Sequence, residues 1–236
     1  MSLPTRYVGW MARDVVTGPG VPIAIMTTLA TLLVSKLQAS GPTGSADQAA
    51  CLFVLDWTGV TLALMGTAGL VSADFAIGHQ RTLFAKPVSP PLYYLQRWLL
   101  GGVAMLLGAA VVGLTLAARF DLPLVGAAFV ARVALLYLVV GGLVFLLSAL
   151  TRRDWLLAAV LIAWQTAISA AHEMGMARGP VGAVLDVVLP PMQLVRLGGP
   201  LPAGADLAHA VGYGGAVLFG ALAVLRWRPL ARGARE

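Results

Sequence analysis

The chain has 236 residues, of which 59% are hydrophobic and 11% charged, with a mean hydropathy of +0.86. Soluble chains carry roughly 25% charged residues, and a soluble domain of this size could not hide so much apolar surface beneath a hydrated exterior; an ordinary soluble enzyme, a disordered chain and a disulfide scaffold (Cys51 stands alone) are excluded. The net charge of +6 comes from basic residues placed singly between apolar runs, the pattern of membrane topology rather than of a nucleic-acid-binding face.

Residues 4–15 come first. Tyr7, Met11 and Val15 repeat at i+4, and Arg6 and Arg13 sit a heptad apart on another face. The spacing predicts a short amphipathic helix at the membrane interface, with a helical extension of the first span as the other reading. A bilayer-crossing helix needs about 20 mostly apolar residues. Six segments qualify, at 17–37, 51–72, 98–118, 127–150, 155–171 and 206–225. The first is expected to be a retained helix, because Pro19 and Pro22 interrupt its start and no cleavage-like site follows at signal-peptide length. The connections are too short for a separate soluble domain, so residues 1–236 are expected to form a single transmembrane domain. The expected fold class is an all-α integral membrane protein.

Charge orients the spans. With the N-terminus inside, the cytoplasmic side holds Arg6, Arg13, Arg81, Lys86, Arg97, Arg152, Arg153, Arg226, Arg228, Arg232 and Arg235, and the outer side only Lys36, Arg119, Arg178 and Arg196. Both termini are then cytoplasmic. Tyr7, Trp10, Tyr93, Tyr94, Trp98, Trp155 and Trp227 all fall at the inner boundaries, where amphipathic rings sit well. The basic excess faces anionic lipid, with no need for a nucleic-acid partner.

Within the third span, Ala104, Gly108, Ala109 and Gly113 give small-xxx-small spacings that permit close helix packing; Gly141, Gly142, Gly212, Gly214 and Gly215 are weaker examples. Asp56 and Arg132 are intramembrane charges. Each is costly there, so the two are expected either to pair or border a path, or to snorkel to the outer interface. Thr27, Thr28, Thr31, Thr58, Thr61, Gln165, Thr166 and Ser169 offer sparse polar contacts or helix-to-helix hydrogen bonds. Residues 172–205 form the longest outer segment. Val181, Val184, Leu185, Val188 and Leu189 follow helical spacing between Pro180 and Pro190, which reads as a re-entrant or interfacial helix, or else an ordered loop.

Catalytic and metal motifs are missing. There is no phosphate-binding GxxxxGK[ST] loop, no GxSxG and no second ligand after His172-Glu173, and His79, His172 and His209 are far apart. The chain is therefore not expected to be an enzyme by itself or to hold a metal or cofactor.

The most informative stretch is 72–94. Asp74 lies four residues before Gly78, Pro87 nine after that glycine, and Tyr93 six after that proline. Gly78 permits a sharp bend, and Pro87, Pro90 and Pro91 end any helix and set the return angle into the third span. This pattern resembles the membrane subunit of ABC transporters of the type-2 (ABC-2) permease family, which often shows the same acid, glycine, proline and tyrosine spacing on the cytoplasmic side after its second span. Six spans, cytoplasmic termini, an inner-surface N-terminal helix and a structured last outer segment also resemble that family. One departure stands out. Phe75, Ala76 and Ile77 occupy positions where many members carry charge, which shifts the expected partner contact toward His79, Arg81 and Lys86.

The resemblance implies a permease subunit in the bacterial inner membrane, exporting a hydrophobic or amphipathic substrate such as a lipid, drug or peptide by alternating access. It also implies a second permease copy, in a homodimer or with a related permease, and two copies of a separate ATPase subunit that bind ATP and Mg. Asp74, Gly78, His79, Arg81, Lys86, Pro87 and Tyr93 would then form the ATPase-coupling segment. The alternative is a non-transporting structural or assembly subunit of a membrane complex.

Overall fold

The computed structural model describes residues 5–36, 45–67, 69–77, 89–120, 123–151, 156–160, 162–163, 190–191 and 201–227. The described residues are helical throughout their regular structure, with no strand among them. In chain order the helices are α1 (Thr5–Thr17), α2 (Gly20–Lys36), α3 (Ser45–Thr67), α4 (Ser72–Ile77), α5 (Pro90–Phe120), α6 (Pro123–Leu136), α7 (Gly142–Leu150) and α8 (Ala205–Trp227). A five-residue π-helical segment, Tyr137–Gly141, joins α6 to α7.

Among the described residues, three stretches are long and apolar enough to cross a membrane: Pro90–Ala118, Gly126–Leu150 and Ala205–Trp227. A fourth candidate is the broken pair of α1 and α2, which bend by 52° at Gly18 and Pro19. α5, with 31 residues, is about 46 Å long, more than a hydrocarbon core of about 30 Å requires. α3 has 23 residues and begins at Ser45, six residues before the expected start of the second span. Asp56 therefore sits midway along its helix rather than near one end. Residues 156–160 and 162–163, within the expected fifth span, are helical. The outer segment 172–205 lies outside the described residues except at 190–191 and 201–205.

The exposed apolar residues fall in stripes. On α2 they are Val21, Ile25, Leu29 and Leu32/Leu33; on α5 they are Leu99, Val103, Leu107, Val111 and Leu114. Each stripe repeats every three or four residues, one face of a helix. Water would not tolerate such continuous apolar faces, whereas a bilayer covers them. The chain is a helical membrane protein.

The chain divides into two compact units. One comprises 1–67, 97–137 and 196–201; the other comprises 68–96, 138–195 and 202–236. α5 passes from the second to the first at Arg97, and the α6–α7 helix passes from the first to the second after Tyr137.

In the first unit, α3 buries Leu55, Thr58, Leu62, Ala63, Gly66 and Thr67, one helical stripe. Glycines bring its neighbours close. A methyl group added at Gly59 would lie 3.0 Å from Leu136 Cδ1, and one added at Gly101 would overlap the Gly66 carbonyl oxygen. Gly113 and Gly126 make a similar backbone contact between α5 and α6, and Gly108 lies against Thr27 of α2. The small residues expected to permit close approach in the third span include two that do so, Gly108 and Gly113. Gly66, Gly101 and Gly126 were not singled out by spacing.

In the second unit, α7 packs on α8. A methyl group at Gly142 would lie 3.2 Å from the Gly214 carbonyl oxygen and 3.0 Å from Val217 Cγ2; one at Gly214 would lie 2.9 Å from the Leu138 carbonyl oxygen. Gly212 and Gly215 have no such neighbour within 4 Å. Only 17% of the apolar stretch of α8 is buried, so most of this helix faces its surroundings.

Candidate functional site: the segment after α3

α3 ends in a turn that glycine makes possible. Gly69 has φ +69°, a left-handed conformation that closes helices at little cost only without a Cβ. α4 starts three residues later, with the Ala73 amide donating to the Gly69 carbonyl at 3.2 Å. A six-residue helix leaves its first amides without intrahelical acceptors. Two amides at this start find one acceptor far away in sequence: Val71 N–H and Ser72 N–H both donate to Ser148 Oγ, each at 3.0 Å. Val71 is fully buried, Ser72 is 9% exposed and Ser148 is 2% exposed.

Asp74 lies in the first turn of α4, where a carboxylate complements the positive helix end. It is 5% exposed, so its side chain is part of the packed body. Tyr93 follows in the first turn of α5, buried and edge-on to the fully buried Tyr94 at 5.0 Å between ring centroids. α5 starts at Pro90 and Pro91, and the Tyr93 amide donates to the Ser89 carbonyl at 3.0 Å. Proline suits a helix start because its missing amide would have no partner there. Gly78, His79, Arg81, Lys86 and Pro87 lie outside the described residues.

The aromatics expected at the inner boundaries divide into two kinds among the described side chains. Trp10 is 43% exposed and Trp227 82%, as expected of rings at a membrane surface. Tyr93, Tyr94 and Trp98 are instead buried in protein. Trp98 stacks on Tyr137 at 4.8 Å, and the Tyr137 hydroxyl donates to the Trp98 carbonyl. The Tyr137 ring fits against Gly66, Gly101 and Gly102, where side chains would collide with it. A ring this large needs space that only glycine leaves on two adjacent helices.

The amphipathic α1 also differs from a helix resting its apolar face on lipid. Met11 and Val15 are buried, while Arg13 is exposed. Asp14 Oδ2 accepts from Arg97 Nη2 at 2.8 Å, pinning α1 to α5. This ion pair had no signal in the sequence, because its members are 83 residues apart.

Asp56 and Arg132 are on helices that pack on each other, α3 and α6. Gly59 of α3 meets Val133 and Leu136 of α6, which brings Asp56, one turn earlier, toward Arg132. Arg132 is 4% exposed and feels the negative charge of Asp56.

The hydroxyls largely serve their own helices. Thr28 donates to the Ala24 carbonyl, Thr67 to Ala63 and Thr115 to Val111. Among the described residues, Thr27 and Thr31 Oγ1 are buried without a hydrogen-bond partner. Gln165, Thr166 and Ser169 lie outside the described residues. Among the described residues, no group of three His, Cys, Asp or Glu side chains could hold a metal.

The chain matches no family model, and no curated protein is significantly similar to it. Ser148, Tyr137 and Asp14 were missed by sequence reasoning. Only Ser148 had a visible signal, as the single polar residue in the run Gly142–Leu150.

Proposed function

We propose that this chain is the permease subunit of an ATP-binding cassette transporter, moving a hydrophobic or amphipathic substrate outward by alternating access. The proposal includes six spans, both termini in the cytoplasm of a bacterium and a location in its inner membrane. A second permease copy and two ATPase subunits complete the machine, with ATP and Mg bound in the ATPase. The observation that carries this reading is α4. A loop joining two spans needs no helix, yet here a short helix begins at a glycine turn, carries the buried Asp74 and is hydrogen-bonded into the body of the protein. Such a helix can receive force from a docked motor, whereas a solvated loop cannot. Asp74 is buried, so the docking contact falls to His79, Arg81 and Lys86.

The test is purification of the chain from its native membrane in mild detergent, with mass spectrometry of what accompanies it. The expected result is a stoichiometric partner bearing a phosphate-binding loop, whose ATP hydrolysis falls at least about tenfold on Arg81→Glu, as breaking a contact worth about 1.4 kcal/mol would require. A stable preparation with no ATPase partner rejects the proposal.

A further inference from the structure

The start of α4 is held by one side chain, and that side chain belongs to a helix with a second tight contact. Ser148 Oγ receives both the Val71 and the Ser72 amide at 3.0 Å. Helix N-termini are ordinarily capped by a residue of the same segment. Here the acceptor comes from α7, 76 residues away from Ser72. Two amides on one hydroxyl oxygen fix position better than one, because the oxygen uses both lone-pair directions and the two bonds cannot pivot independently. The site is dry: Val71 is 0% exposed and Ser148 2%, so water cannot replace the hydroxyl without repacking. α7 ends just beyond, where both the amide and the hydroxyl of Thr151 donate to the Leu147 carbonyl. At its other end α7 meets α8 through the Gly142–Gly214 backbone contact, and Leu138 of the preceding π-helical segment lies against Gly214.

We infer that Ser148 is a positioning residue that clamps α4 to α7, so that a displacement of α4 is delivered to the α7–α8 pair. The inference rests on the reading of α4 as the ATPase-coupling helix and adds to it the element that receives the motion. Apolar contacts let a helix slide or rotate, whereas two hydrogen bonds to one buried oxygen fix its start. With the clamp, its N-terminus and the α7 backbone move together. The close glycine contacts then carry that movement to α8, since packed interfaces shift as units rather than deform continuously.

The experiment uses the full chain with whatever ATPase accompanies it, in lipid nanodiscs, followed by hydrogen–deuterium exchange. Ser148→Ala is expected to speed exchange at residues 71 and 72 by at least about tenfold, the effect of losing hydrogen bonds worth about 1 kcal/mol each, while exchange across α8 stays unchanged. Ser148→Thr keeps the hydroxyl and restores slow exchange. In the complex, addition of ATP is expected to alter exchange of the 138–150 peptide in the unmodified protein. In Ser148→Ala that response is lost although ATP hydrolysis continues, a separation that general destabilisation would not produce. Unchanged exchange at 71 and 72 overturns the clamp. Faster exchange with a preserved ATP response overturns the relay. If no ATPase accompanies the chain, the coupling reading fails and the relay falls with it, and that failure is read from the purification rather than from the exchange rates.

Discussion

Gly101 and Gly212 both lie in apolar helices, yet only Gly101 has a neighbour within reach of a methyl group. Gly101→Ala forces the backbones of α3 and α5 apart and is expected to cost about 1–3 kcal/mol, the usual range for overpacking. Gly212→Ala meets nothing and is expected to be neutral or stabilising by up to about 1 kcal/mol, because alanine is the better helix former. Thermal unfolding of the two variants in the same detergent separates them. Asp56 and Arg132 give a second contrast at this scale. Arg132 is buried and Asp56 half-buried, so removing Asp56 takes a compensating charge from a buried cation and is expected to cost more than removing Arg132. The double variant Asp56→Asn/Arg132→Gln is expected to be less destabilised than the sum of the single variants, and a double-mutant cycle on unfolding free energy measures the difference. Additive losses would mean that the two side chains do not act on each other.

At the scale of elements, two short helices are held by long-range polar contacts. α1 is broken from α2 by 52° and tied to α5 through Asp14 and Arg97. The pair is partly exposed, with side chains 41% and 16% accessible, so salt screens it. Arg97→Ala is expected to lower stability by about 1 kcal/mol or less and to speed amide exchange in α1. Raising ionic strength should speed α1 exchange in the unmodified protein and have less effect in the variant. Equal salt responses would assign the α1 position to Met11 and Val15 alone. The helical extension of the first span and the separate interfacial helix were both compatible with the sequence. The bend follows from Gly18 and Pro19, but its angle depends on what α1 packs against.

At the scale of the molecule, the proposed six spans require the two termini to lie on the same side of the membrane. With the native Cys51 replaced by alanine, single cysteines introduced at Ser2 and at Ala234 are expected to be labelled by a membrane-impermeant maleimide only after the cells are opened. Labelling of one without opening would require an odd number of spans and reverse part of the charge assignment.

The all-helical structure and its apolar, span-like helices were legible in the sequence because they depend on composition and on periodicity over about 20 residues, whereas the helix bounds were not, α3 beginning at Ser45, six residues before the expected start. The apolar runs allow no other satisfaction of the backbone in lipid than helices or a closed barrel, and their helical spacing selects the former. The start of α5 was legible for the same kind of reason, since Pro90 and Pro91 restrict the local backbone whatever surrounds them. Burial was not legible. Tyr93, Tyr94 and Trp98 had the composition of an interfacial belt, yet their rings are packed in protein, while Trp10 and Trp227 face outward. Which glycines make contact, which tyrosine fills the space they leave, and which serine caps α4 were decided by tertiary structure. Each of these depends on residues dozens of positions apart meeting in space, and the local chemistry of either partner is the same whether or not they meet.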